Sequence, residues 1–124
     1  MDNSAFNKKL GIVAEDLADG SVRLTLEVDA SFANDIGAIH GGVAATLLDG
    51  AMGRACCRTL APGEGCATVH LSVQYLASAE GRLTAIGRLA RRVRRIAFID
   101  GECTRADGVV VARAQGTWAI VPKP

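Results

Sequence analysis

"AIHGGVAATLLDGAMGRACC", Ala38 to Cys57, is the stretch on which the reading of the whole chain turns. From Val43 to about Leu60 it is apolar nearly all round and predicts one long, buried helix. A helix without a polar face cannot ride on the outside of a sheet, so a sheet must wrap it. Yet Asp49 stands in its middle, between Leu47, Leu48, Ala51 and Met52, with no evident partner close in sequence. A carboxylate taken out of water without a partner is costly, so Asp49 asks for a functional reason.

The flanking segments supply the sheet. "SVRLTLEVD" alternates Val22, Leu24, Leu26 and Val28 with Arg23, Thr25 and Glu27, the period of a strand with one buried face. It follows Asp19-Gly20, a hairpin-turn pair, which makes "LGIVAEDL" its partner strand. "SFANDIGAI" is irregular. "GEGCATVHLSVQYL" alternates again, with Ala67, Val69, Leu71, Val73 and Tyr75 on one face and Thr68, His70, Ser72 and Gln74 on the other. The remainder reads as further long strands turning at Asp107-Gly108. The expected order is two strands, one helix and three or so antiparallel strands: an α+β fold, an antiparallel sheet around one central helix. The outer face of that sheet, partly apolar, is expected to seek a second subunit.

One stripe of the helix departs from the rest. Thr46, Asp49, Gly50, Gly53 and Cys57 recur at three- and four-residue spacing and share a side that is small and polar. Two glycines inside a helix cost roughly 1 kcal/mol each against alanine, which suits a place where a cleft or a packed subunit approaches the backbone. At the helix start Gly41 and Gly42 expose unpaired N–H groups at the positive end of the dipole, able to bind an anion or a developing oxyanion. Asp49 lies about two turns further in, roughly 10 Å along the axis. Two antiparallel helices side by side would bring one chain's Gly41 to the other's Asp49.

Composition narrows the class. The 124 residues fit a single domain, 1–124. Hydrophobic residues make up 49% against 22% charged, and the mean hydropathy is +0.22, which points to surface closed in a subunit interface. No apolar run reaches the roughly 20 residues that span a bilayer, and "MDNSAFNKKL" carries no signal segment, so no membrane partner and a cytoplasmic location are expected. The four cysteines, Cys56, Cys57, Cys66 and Cys103, form no CxxC pair or zinc spacing; they read as small buried hydrophobes, with no metal. A net charge of +1 and a pI near 7.7 argue against nucleic acid. The charge is uneven, however: "GRLARRVRR", Gly87 to Arg95, holds five arginines and no acid. Arg92, Arg94 and Arg95 are the candidates to meet phosphates there, unless the patch only guards a strand edge.

The pattern Asn34, His40-Gly41-Gly42 and Asp49, "N-x5-HGG-x4-LLD", followed by "TVHLSVQYL", resembles the phenylacetate-degradation type of hotdog-fold acyl-CoA thioesterases. The match runs from the first hairpin through "GTWAIV". It implies a helix wrapped by a five- or six-stranded antiparallel sheet, dimers pairing into homotetramers, and sites at the dimer interface. It implies further that the Gly41 N–H is the oxyanion donor and Asp49 the nucleophile or general base. Asn34 and His40 would hold the loop and the thioester end, with Gly42 beside them, and the Thr68 hydroxyl would help orient water. CoA is then part of the substrate and no cofactor is needed. Where that family often has an acid after "TV", this chain has His70, which reads as a packed or interface residue. Asp49 is thereby explained: poor solvation sharpens a carboxylate as base or nucleophile. The alternatives are a non-catalytic acyl-CoA-binding hotdog protein and a hotdog hydratase; only hydrolysis releases free thiol.

Overall fold

A computed structural model describes residues 3–124. The central helix, α2, runs Gly41–Cys57, starting two residues before the expected Val43 and stopping three before Leu60. It starts early because His40 caps it, its Nδ1 accepting the Gly42 N–H at 2.8 Å. Ala44, Leu47, Leu48, Ala51, Met52, Ala55 and Cys56 are its buried residues.

Six strands surround it: β1 (Val13–Asp16), β2 (Val22–Glu27), β3 (Glu64–Tyr75), β4 (Arg82–Val93), β5 (Ile96–Arg105) and β6 (Val110–Pro122). They form one antiparallel sheet in the order β1-β2-β4-β5-β6-β3. The expected hairpin at Asp19-Gly20 and turn at Asp107-Gly108 are both present. Strand β3 lies at the end of the sheet, paired on one side only, with β6.

The sheet approaches the helix closely because its glycines permit it. A Cβ on Gly87 would lie 2.4 Å from the Ala51 carbonyl oxygen, and one on Gly101 2.5 Å from Met52 Sδ. The two helix glycines have the same purpose inside the chain: a Cβ on Gly50 would meet Leu24 at 2.7 Å, and one on Gly53 would meet the Trp118 indole at 3.2 Å. A second subunit is not needed to explain them.

Two differences from the sequence reading bear on the site. A short helix, α1 (Ala5–Leu10), precedes β1 and was not expected; Ser4 caps it and Gly11 ends it in the left-handed region. Its Asn7 comes to the helix backbone at Gly50. Second, β3 does not alternate throughout. Thr68 pairs with Trp118 and His70 with Thr117, so Val69 is bulged out of register. The bulge turns Thr68 to the face of Trp118, away from His70, Ser72 and Gln74, whose face it was expected to share.

The outer face of the sheet is polar at its middle. Arg88, Asp100, Glu102, Arg113 and Gln115 line a shallow groove of about 660 Å³ there, while Phe98 and Ile96 stand exposed nearer the β4–β5 turn. His70 is exposed on this face, directly across from Thr117, so of the two readings, packed or interface, the chain itself does not pack it.

Candidate active site

Because the sheet wraps α2 incompletely, the stripe read from the sequence remains open between α1 and β3. A cleft of about 540 Å³ is lined there by Thr46, Asp49, Gly50, Gly53 and Cys57 of the helix, with Phe6 and Asn7 of α1 on one side and Cys66, Thr68 and Trp118 on the other. Asp49 is half-buried in it. The Thr68 hydroxyl donates to Asp49 Oδ1 at 2.8 Å, which fixes the carboxylate by one oxygen and leaves the second directed elsewhere.

At the helix start the geometry is equally defined. Asn34 Oδ1 accepts the N–H groups of Ile36 and Ala38, both at 3.1 Å, so Asn34 does fold the loop that delivers His40. His40 accepts a helix N–H. Its bond occupies the Gly42 N–H, and a Cβ at Gly42 would lie 2.9 Å from the imidazole, so Gly42 serves the cap and its N–H is spent before any substrate arrives. The Gly41 N–H, by contrast, has no acceptor among the described residues. A helix-start N–H of this kind is able to donate to an anion or a carbonyl oxygen.

Tyr75, which sequence reasoning left among apolar strand residues, closes over this end. Its hydroxyl donates to the Gly41 carbonyl at 3.0 Å, and its ring would lie 3.3 Å from a Cβ at Gly41. The alternation of β3 put Tyr75 on the apolar face of the strand; the fold shows that it meets the helix, at Gly41.

The structure therefore joins Asp49 to Thr68 and His40 to Gly42, and sets Asn34 in the loop before them, but it leaves Gly41 two turns from Asp49 on the same helix. The arginines separate as well. Arg92 donates to the Thr59 carbonyl at 2.7 Å and pairs with Glu64 at 3.2 Å, tying the end of α2 to the sheet. The Ala61 N–H and then Arg92 hold the Glu64 carboxyl below the usual range. Arg94 and Arg95 stand exposed in the β4–β5 turn, Arg94 at φ 58°. Among the described residues no cluster suited to a metal ion occurs, and no helix is long and apolar enough to cross a membrane.

Comparison with known proteins agrees with this architecture. A family described as a domain of unknown function, DUF4442, matches residues 3–120. The Halobacterium salinarum protein named "Putative esterase VNG_1336C" is 36% identical over 97 residues, which are 73% of this chain and 64% of that protein's length. A solved structure from Ralstonia eutropha JMP134, titled "putative thioesterase, phenylacetic acid degradation-related protein", is 30% identical over 98% of this chain and 92% of its own, with a TM-score of 0.87. The BH2602 protein of Bacillus halodurans, solved with CoA, shares the fold at a TM-score of 0.89, with 24% identity over 98% of this chain and 82% of its own. The chain thus belongs to the DUF4442 family and has the hotdog fold of the phenylacetate-degradation type of thioesterases.

Proposed function

We propose that this protein hydrolyses an acyl-CoA thioester to a free carboxylic acid and CoA. The observation that carries the reading is that one helix carries both a half-buried carboxylate, Asp49, held by Thr68, and an unpartnered N–H at its start, Gly41. The relatives named as esterase and thioesterase support the reaction class, and the BH2602 structure with CoA supports the substrate class.

In this mechanism the Gly41 N–H, at the positive end of α2, polarises the thioester carbonyl and stabilises the oxyanion that forms on it. Asp49 either attacks the carbonyl carbon, forming a mixed anhydride that water then hydrolyses to the free acid, or takes a proton from the water that attacks it; the C–S bond breaks, and the departing CoA thiolate takes up the proton that the water gives up. Thr68 orients the carboxylate, and Tyr75 holds Gly41 against β3. A single carbonyl cannot reach Gly41 and Asp49 of one helix, so each site is completed by a partner: the Gly41 of one protomer beside the partner's Asp49. The one-sided edge of β3, twelve residues long, suits a homodimer, since an open edge of that length invites pairing with a second chain. Dimers pair in turn into a tetramer, and Arg94 and Arg95 meet the CoA phosphates.

Thiol release from a panel of short, long and aromatic acyl-CoAs, followed with a thiol-detecting dye, tests the proposal. Asp49→Asn should keep the fold and lower turnover by roughly a hundredfold or more. Turnover near that of the parent protein would exclude Asp49 as the reacting carboxylate, and absence of thiol release from the whole panel would exclude the reaction.

A further inference from the structure

Two thiols line the same cleft and have no part in that chemistry. Cys57 is the last residue of α2 and Cys66 stands in β3, and their sulfurs are 3.1 Å apart. The other two cysteines, Cys56 and Cys103, are fully buried, as expected, but Cys57 and Cys66 are only half-buried and stand in the cleft wall. We propose that Cys57 and Cys66 are a modification site: under peroxide they form a reversible intramolecular disulfide that ties the end of α2 to β3.

The approach makes this pair suitable. Two sulfurs already in contact need to close by only about 1 Å to reach the bonded separation of about 2.0 Å, which small rotations of both side chains supply. Cys66 also reaches toward the Gly53 carbonyl at 3.8 Å, so its sulfur is turned to the helix. One of the two sulfurs, as thiolate, attacks one oxygen of hydrogen peroxide and breaks the O–O bond. Hydroxide leaves, takes up the proton that this thiol gave, and becomes water; the attacking sulfur is now a sulfenic acid. The other sulfur, as thiolate, then attacks it, the S–O bond breaks, and the expelled oxygen leaves as a second water with the proton of the second thiol. Either order gives the same bridge, because the two sulfurs share one contact. Two thiols are oxidised by two electrons and one peroxide is reduced to two waters. A dithiol reductant reverses the bond.

The bridge would lie two residues from Thr68 and eight from Asp49, so it fixes the wall that carries the Thr68 hydroxyl. Its formation does not depend on which reaction the cleft performs.

The test uses the whole chain, treated with hydrogen peroxide, freed of excess peroxide and denatured in acid. In one portion thiol titration should fall from four per chain to two, and return to four after dithiothreitol is added and removed. A second portion is alkylated in denaturant for digestion. Trypsin should then yield Ala55–Arg58 joined to Thr59–Arg82, lighter by two hydrogens than the separate peptides combined, with fragmentation placing the link on Cys57 rather than Cys56. Cys57→Ser and Cys66→Ser, each checked for native circular dichroism, should not form the link. Four thiols remaining after a peroxide dose that oxidises a free dithiol would overturn the proposal. So would a link through Cys56, or bridges found only between chains.

Discussion

The Thr68 hydroxyl reaches Asp49 Oδ1 at 2.8 Å because Val69 is bulged out of β3. Without that extra residue the pleat would keep Thr68 on the side of His70, away from the helix. The bond is exposed to the cleft, so it positions the carboxylate more than it stabilises the fold. Thr68→Val keeps the shape and removes the donor, so thiol release should fall roughly tenfold or more, while the melting temperature falls by no more than about 5 °C. Thr68→Ser should recover most of the rate. Equal rates for the valine and serine variants would remove Thr68 from the site.

Gly87 tests how the helix is seated. The Ala51 carbonyl and Met52 N–H that a Cβ there would strike, at 2.4 Å and 2.7 Å, are backbone atoms and cannot turn aside. Gly87→Ala should cost about 2 kcal/mol or more and lower the melting temperature by roughly 5–10 °C. Gly65→Ala, whose Cβ would meet Lys123 Cγ at 3.5 Å, should be tolerated. A neutral Gly87→Ala would mean that the sheet and helix separate more easily than their contact suggests.

The sequence disclosed the helix, the hairpins and the polar stripe because each is written in local periodicity. It disclosed Asp49 for the same reason: a charge in an apolar helix stands out without any tertiary knowledge. What it hid depends on relations between distant segments. The bulge at Val69 leaves the alternation of β3 undisturbed in letters, since a Thr-Val pair reads alike in or out of register. Tyr75 meets Gly41 across 34 positions, and Cys57 meets Cys66 only because the chain turns back after α2. Helix α1 was legible in principle, in the cap-and-glycine frame of Ser4 and Gly11, but six residues are too few for a period to assert itself.

The arginine patch divides into two roles that mutation separates. Arg92, bound to Thr59 and Glu64, supports the end of α2, so Arg92→Ala should lower the melting temperature. Arg94→Ala and Arg95→Ala should leave stability nearly unchanged but raise the Michaelis constant for acyl-CoA, more so at low salt, where phosphate contacts are least screened. Thioester substrates lacking the nucleotide should not respond. If the affinity for acyl-CoA and its salt dependence survive both substitutions, the turn only guards the end of the sheet.

Whether each site draws on two chains is decided by mixing two inactive proteins. Gly41→Pro removes the N–H at the first helical position, where proline is well accepted, and His40 at φ −59° and ψ 133° already has the backbone that a following proline requires. Tyr75, 3.3 Å from the added carbon, needs to give way only slightly. The fold should therefore survive while the oxyanion donor is lost, at a cost of about a hundredfold to a thousandfold in rate. Asp49→Asn removes the other half. In a mixed dimer, the chain with proline at 41 contributes its intact Asp49 to the Gly41 of the other chain, giving one complete site and one doubly damaged site. Random exchange makes half the dimers mixed, so about a quarter of the parent activity should return. Exchange shown by a mass or fluorescence tag, with no activity regained, would mean that a single chain builds its own site, and the pairing of Gly41 with the partner's Asp49 would have to be given up.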